Sequence, residues 1–339
     1  MTRRLTNIRI SPNPNKKSRH DLIWQTKHSG VRMSLRHWNL SHAPFSGSLE
    51  PSAFFMAPPQ DEALARLEWL DQEHQRLGIV VAPSGFGKSH LCSKLVRKLS
   101  GMGAEVAMVS LRGVGEGDWI ELLLDLLPLD AESREEPLRP WQKLENRLRE
   151  NMLMDRTTAL LFDDLDCAPP DALAGIERLV ASAEPRFGRT LVVATTSRER
   201  LASLPRSLLE RAALRIELAA WSYQDVTDYL TWATTRLGGS PNIFSESATE
   251  TLARLSDGIP RLVLQIAQMA LVAAAGDRLK SIDAATIERS WRELVPDYTT
   301  TGRSHSDENH KRVTDAPKTR LESLHEEVPR MRVVRRLWA

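Results

Sequence analysis

Five short apolar runs punctuate the middle of the chain: Ile79-Val80-Val81, Val106 to Val109, Thr158 to Phe162, Leu191 to Ala194 and Leu214 to Leu218. Runs this short, apolar at successive positions, fit strands buried on both faces of a parallel sheet. Between them the spacing lengthens to three and four residues. Leu64, Leu67, Trp69 and Leu70 predict a helix over Asp61 to Gln75, and two more follow over Trp119 to Leu126 and Trp141 to Met152. After Trp221 only helical segments remain, over Ser222 to Ala233, Ser245 to Leu255, Pro260 to Ala275 and Asp283 to Glu293. Alternation of strand and helix predicts an α/β fold: a mostly parallel five-stranded sheet sandwiched by helices, with its ligand at the carboxyl ends of the strands. An all-helical subdomain follows. The expected divisions are a disordered basic tail over 1–37, the α/β core over 38–220, the helical part over 221–297 and a flexible tail over 298–339.

Composition narrows this little. Net charge is +2 over 339 residues, so the whole molecule is no obvious nucleic-acid binder. Positive charge concentrates in the first 36 residues. That segment reads as an arm touching nucleic acid or anionic lipid, as a solvated tail, or as sequence ahead of a translation start at Met33; the solvated tail is the expectation. The first residues lack the apolar core of a signal peptide. The longest apolar stretch, Leu262 to Ala275, is interrupted by Gln265 and Gln268 and is too short to span a membrane. Cys92 and Cys167 offer neither a disulfide framework nor a metal pattern and read as packing thiols. The end of the chain, Val333 to Trp338, reads as an unstructured end.

The chemistry sits after the first strand. Ala82, Pro83, Ser84, Gly85, Phe86, Gly87, Lys88 and Ser89, with His90 next, lie between a strand and a helix. Glycines there let the backbone curl so that its N–H groups face phosphates. The following helix N-terminus adds partial positive charge. Lys88 is expected to reach the β- and γ-phosphates and Ser89 to ligate Mg²⁺. Ala82 stands where the usual pattern has its first glycine.

The third run ends in Asp163-Asp164. Asp163 is expected to hold Mg²⁺, and Asp164 to orient the attacking water, with a reach shorter than glutamate's by roughly 1.5 Å. Asp166 reads as a helix cap before Ala168-Pro169-Pro170. At the end of the fourth run Thr195 or Thr196 is expected to bridge the acidic strand and the γ-phosphate, with Thr196 preferred. Arginines that could stabilise a neighbouring subunit's γ-phosphate lie between the fourth and fifth runs: Arg211 first, then Arg206. Arg261 falls in the first turn of its helix, where a cation is disfavoured, so a bound phosphate is its natural partner.

With Lys88, Ser89, Asp163 and Arg261 placed, the chain resembles a P-loop NTPase of the AAA+ class. More narrowly, it is similar to the ATPase domain of the general secretion pathway protein A group. Three segments carry the likeness, within residues 38–297: Pro44-Phe45 with Pro51 to Met56 and Glu62 to Leu67; Glu210-Arg211 through Arg215 to Trp221-Ser222; and Pro241 to Phe244 through Gly258-Ile259-Pro260-Arg261-Leu262. The resemblance implies ATP and Mg²⁺ as cofactors, a helical lid closing on the nucleotide, and subunits that lend an arginine to a neighbour. It implies that Arg261 is the lid arginine and that Asp164 occupies the position of the catalytic base. It further implies self-assembly and a place in the cytoplasm or at the inner face of the membrane. Three functions follow: an ATP-hydrolysing motor or switch on a protein partner of a secretion or pilus-like system, a DNA-associated transposition-type regulator supported only by the basic arm, and a slow-hydrolysing nucleotide-dependent switch.

Overall fold

A computed structural model describes residues 33–45, 54–129, 138–182 and 184–294. The flexible tail expected over 298–339 and the first 32 residues of the expected basic tail lie outside them. Five strands form one sheet: β1 (Leu77–Val81), β2 (Glu105–Ser110), β3 (Thr158–Asp163), β4 (Thr190–Thr196) and β5 (Leu214–Glu217), in the order β2-β3-β4-β1-β5. Every pairing is parallel. Helices connect the strands: α1 (Pro58–Gln72) before β1, α2 (Lys88–Gly101) after it, and α3 (Asp118–Leu126) and α4 (Pro140–Leu153) before β3. Then come α5 (Pro170–Ala181) and α6 (Arg206–Arg211), on either side of β4.

The unbroken apolar runs conceal a period of two that the packing reveals. Ile79, Val81, Leu160, Phe162, Val192 and Ala194 join one core cluster, together with residues of α3 to α6. Val80, Ala159, Leu161, Leu191 and Val193 join another, with residues of α1 and α2. Successive side chains thus serve opposite faces, as a pleated strand requires, and both faces are covered.

The helical part consists of α7 (Tyr223–Thr235), α8 (Glu246–Ser256), α9 (Pro260–Gly276) and α10 (Ala284–Leu294). Ser222 and Ser245 cap α7 and α8 by accepting from the N–H groups of Asp225 and Ala248. Proline opens α9, where its missing N–H costs nothing.

Two findings depart from the sequence-based divisions. Residues 33–37, on the tail side of the expected boundary, form a helical turn in which Ser34 is buried. Trp38, Leu40, Phe45 and Ala57, expected to belong to the α/β core, pack instead into the apolar cluster of α7 to α10. The Trp38 indole N–H donates to the Leu271 carbonyl, 2.9 Å away across 233 residues. Periodicity cannot reveal this, because it says nothing of which distant face an aromatic segment will cover.

Candidate functional site

The loop 82–89 leaves the carboxyl end of β1 between β4 and β5, where strand connections diverge. Gly85 and Gly87 have φ of +93° and +89°, the left-handed backbone that tight curling demands. A Cβ at Gly87 would meet no atom within 4 Å, so this part of the loop faces open space. Gly87 is also the N-cap of α2, and neither a capping side chain nor an acidic residue occupies the first turn. The N–H groups there keep their partial positive charge for an anion.

Lys88 is buried, and its ammonium donates to the Ala82 and Pro83 carbonyls at 2.7 and 3.2 Å. Burial pulls its pKa below the ordinary lysine value, while Asp164, Asp163, Asp166 and Glu199 pull the other way. The Ser89 hydroxyl donates to Asp163 Oδ2 at 2.5 Å, bringing together the two expected metal ligands from 74 residues apart. Among the described residues no group of three or more His, Cys, Asp or Glu side chains could hold a metal. A hydroxyl and a carboxylate suit Mg²⁺, which keeps waters and takes its remaining oxygens from phosphates. The residues present therefore fit a nucleotide with its metal.

Thr195, not the preferred Thr196, makes the bridge to the acidic strand. Its hydroxyl donates to Asp163 Oδ1 and accepts from the Asp164 N–H, the latter at 3.0 Å. Strand parity is the reason. Asp163 follows Ala159 and Leu161, and Thr195 follows Leu191 and Val193, all on the face that carries α2. Thr196 takes the other parity; its hydroxyl approaches only the Ser197 carbonyl, at 3.4 Å, while its own carbonyl accepts from the Ala82 N–H. Asp166 likewise differs from expectation. Instead of capping a helix, it accepts from the Ser197 N–H at 3.3 Å and hydroxyl at 2.9 Å, tying the β3 and β4 ends together.

Asp164 leaves the strand in the left-handed conformation, with φ of +57°. Its carboxylate is gripped by Arg112, with Nε and Nη2 each 3.0 Å from one oxygen. Arg112 lies just past β2, which pairs with β3 through Ser110 and Asp163. This partner, 52 residues away, has no signal in the sequence.

The helical part reaches the loop through α9. The Arg261 N–H donates to the Gly85 carbonyl at 3.1 Å, and Nη1 donates to the Ser84 hydroxyl at 3.2 Å. A Cβ at Gly85 would lie 3.1 Å from Ile259 and 3.2 Å from Arg261, so the loop and α9 are already in close packing. Gly258 fixes this approach. Its φ is +65°, its carbonyl accepts from the Trp221 N–H at 2.9 Å, and a Cβ there would lie 2.1 Å from the Trp221 oxygen. Phe86 packs against the α1–α2 side of the core, and the His90 ring meets Phe54 at 4.9 Å between centroids. Arg206 is exposed and pairs with Glu210 on the same helix at 2.7 Å; Arg211 is exposed at the end of α6. Neither joins the loop of its own chain.

Residues 71–201 match a family described as AAA domain. General secretion pathway protein A of Aeromonas hydrophila is 28% identical over 249 residues, which is 71% of this chain and 45% of that protein. The chain thus spans less than half the length of this relative. Among solved structures, Cdc6p from Pyrobaculum aerophilum matches with a TM-score of 0.59 at 19% identity, covering 74% of this chain and 70% of that one. The Aeropyrum pernix ORC2 protein, solved as ADPNP-ADP complexes, matches with a TM-score of 0.54 at 13% identity, covering 77% and 74%. At such identities the likeness is one of fold. The glycine loop, the acidic strand end and these likenesses agree: the chain has a P-loop NTPase fold, matches the AAA domain family over residues 71–201, and resembles general secretion pathway protein A.

Proposed function

We propose that this chain is a Mg²⁺-dependent ATPase that works as a switch or motor on a protein partner. The observation that carries the reading is the convergence of Lys88, Ser89, Asp163 and Thr195 beneath a loop that Arg261 touches from the helical part. In this reading Ala82 to His90 hold the nucleotide. The Gly85–Ser89 amides and the Lys88 ammonium bind its phosphates, and Arg261 binds them from the lid side. Ser89 and Asp163 would hold Mg²⁺, which when bound would supply charge neutralisation at the transferred group. Thr195 holds the Asp163 carboxylate in place by donating to its second oxygen.

Asp164 is the residue we assign to orienting water. Arg112 donates once to each of its oxygens, which keep lone pairs for water but are held in one orientation and made less basic, so the carboxylate takes a proton from water poorly while the guanidinium holds on. Arg112 is therefore a positioning residue that keeps turnover slow until a partner or a neighbouring subunit draws it away. This favours a switch over a fast motor. Arg211, with Arg206 second, is assigned to a neighbour's γ-phosphate in an assembled oligomer.

The similarity to general secretion pathway protein A directs attention to an envelope-linked protein partner and to the cytoplasmic face of the membrane. Among the described residues no helix is long and apolar enough to cross a membrane.

Lys88→Ala tests the core of the reading. It removes the phosphate-facing ammonium and should abolish binding of a fluorescent ATP analogue and all Mg²⁺-dependent phosphate release. Undiminished hydrolysis by this variant would refute it.

A further inference from the structure

The far end of α9 carries a second site. A cavity of about 600 Å³ opens there, lined by His37, Asn39, Ser240, Asn242, Arg278 and Lys280, with the backbone of Gly238 and Gly239. Its volume lies within the range of ordinary ligand sites. Helix α9 has 17 residues, so its ends stand about 25 Å apart. Arg261 at one end touches the phosphate loop, and Arg278 and Lys280 follow the other. The cavity is therefore separate from the nucleotide site.

Trp38, Ile243 and Leu279 complete the lining, and its formal charge is of one sign. Among the described residues no carboxylate lines it. Asp277, beside Arg278 in sequence, is engaged by Arg289 at 2.5 Å. Among the described residues Arg278 and Lys280 form no ion pair, and both are exposed. The walls are already fixed. His37 Nε2 donates to the Leu279 carbonyl at 2.7 Å, and the Asn39 amide donates to the Gly238 carbonyl at 3.2 Å. Two free cations beside serine and asparagine side chains are the groups that grip phosphate oxygens in nucleic-acid complexes.

The sequence extends this charge. Residues 1–32 precede, in sequence, the lining residues His37 to Asn39. They contain eight cations, Arg3, Arg4, Arg9, Lys16, Lys17, Arg19, Lys27 and Arg32, against the single acid Asp21. A binder of one small anion needs no such run. A polymer with a charge at every repeat can engage the cavity and the run together, and it releases counterions from both.

We infer that the cavity bounded by Arg278 and Lys280 binds the phosphate backbone of a nucleic acid, without reading its sequence. An acidic peptide and an anionic membrane are the competing ligands.

The test uses the full chain and a fluorescein-labelled duplex DNA of mixed sequence, with anisotropy read across a salt series. The wild type should bind with an affinity that falls steeply with salt. Arg278→Glu with Lys280→Glu should weaken binding about tenfold or more and lower the salt slope by about two, one for each lost phosphate contact. Lys280→Gln, a milder change, should lower the slope by about one. Both sites are exposed, so melting temperature and ATP affinity should stay at wild-type values. Those two readouts also separate failure here from failure of the ATPase reading.

Absence of DNA binding by the wild type would overturn the inference. So would unchanged affinity in the double variant, or complete loss on deleting residues 2–32 while the charge reversals do nothing. Loss confined to poly-glutamate or phosphatidylglycerol vesicles, with DNA binding intact, would assign the cavity to the competing ligand instead.

Discussion

Gly258→Ala offers a sharp test of how the helical part is held over the phosphate loop. Gly258 has a φ of +65°, and an added Cβ would lie 2.1 Å from the Trp221 oxygen and 3.0 Å from its carbonyl carbon. Two costs add. The left-handed backbone costs an L-residue about 1–2 kcal/mol. Clearing a contact with backbone, which has no rotamer to change, costs about another 1–3 kcal/mol. The sum is about 2–5 kcal/mol, or roughly 5–15 °C of melting temperature for a domain of this size. The function should suffer as well. Displacing the Trp221–Gly258 junction shifts Ile259 and Arg261, which pack on Gly85. Differential scanning fluorimetry and titration with a fluorescent ATP analogue read the two effects. Gly276→Ala, at the far end of α9, is the control: a Cβ there meets nothing within 4 Å, so the change should be neutral or stabilising by up to about 1 kcal/mol. If Gly258→Ala melts and binds like the wild type, the account of the junction is wrong.

Other outcomes follow from the same geometry. Thr195→Val removes a donor to Asp163 and an acceptor for the Asp164 N–H; it should cut ATP turnover at least tenfold, whereas Thr196→Val should change steady-state turnover less than about twofold. Arg112→Ala frees the Asp164 carboxylate; basal turnover should rise several-fold with nucleotide affinity unchanged, and a fall would recast Arg112 as a direct contributor to hydrolysis. Burial drives the Cys92 thiol pKa far up, whereas Cys167 is partly exposed. A mass-spectrometric count after alkylation should therefore find Cys167 modified in the folded protein and Cys92 only after denaturation.

Much of the sheet was legible because a strand buried on both faces must be apolar at every position, and such runs stand out between helical periods. The phosphate loop was legible because its glycines, lysine and serine are adjacent in sequence. What escaped was whatever depended on placing one element against another. Thr195 and Thr196 are equivalent as letters; the direction of the Asp163 side chain decides between them, through a register of one residue. The same reasoning applied to Leu191 and Val193 would have selected Thr195 had the α2 face been known. Arg112 and Asp164 meet only because β2 and β3 are neighbours in register. Trp38 and Phe45 precede the α/β core in sequence, yet the surface complementary to them forms some two hundred residues later.

That last placement bears on how the protein can move. The chain packs into the helical body through Trp38, Leu40, Phe45 and Ala57, builds the whole sheet, and returns to the same body at Trp221. Among the described residues the sheet is thus an insertion with two covalent crossings, one between Ala57 and Ala63 and the other between Leu218 and Trp221. A buried bond from the Trp221 indole N–H to Gln60 Oε1, at 3.0 Å, sets the crossings side by side. A body on one tether can swivel freely; a body on two adjacent tethers swings like a door. Any opening over the nucleotide should therefore turn about the Gln60–Trp221 line and carry Arg261 along a single arc.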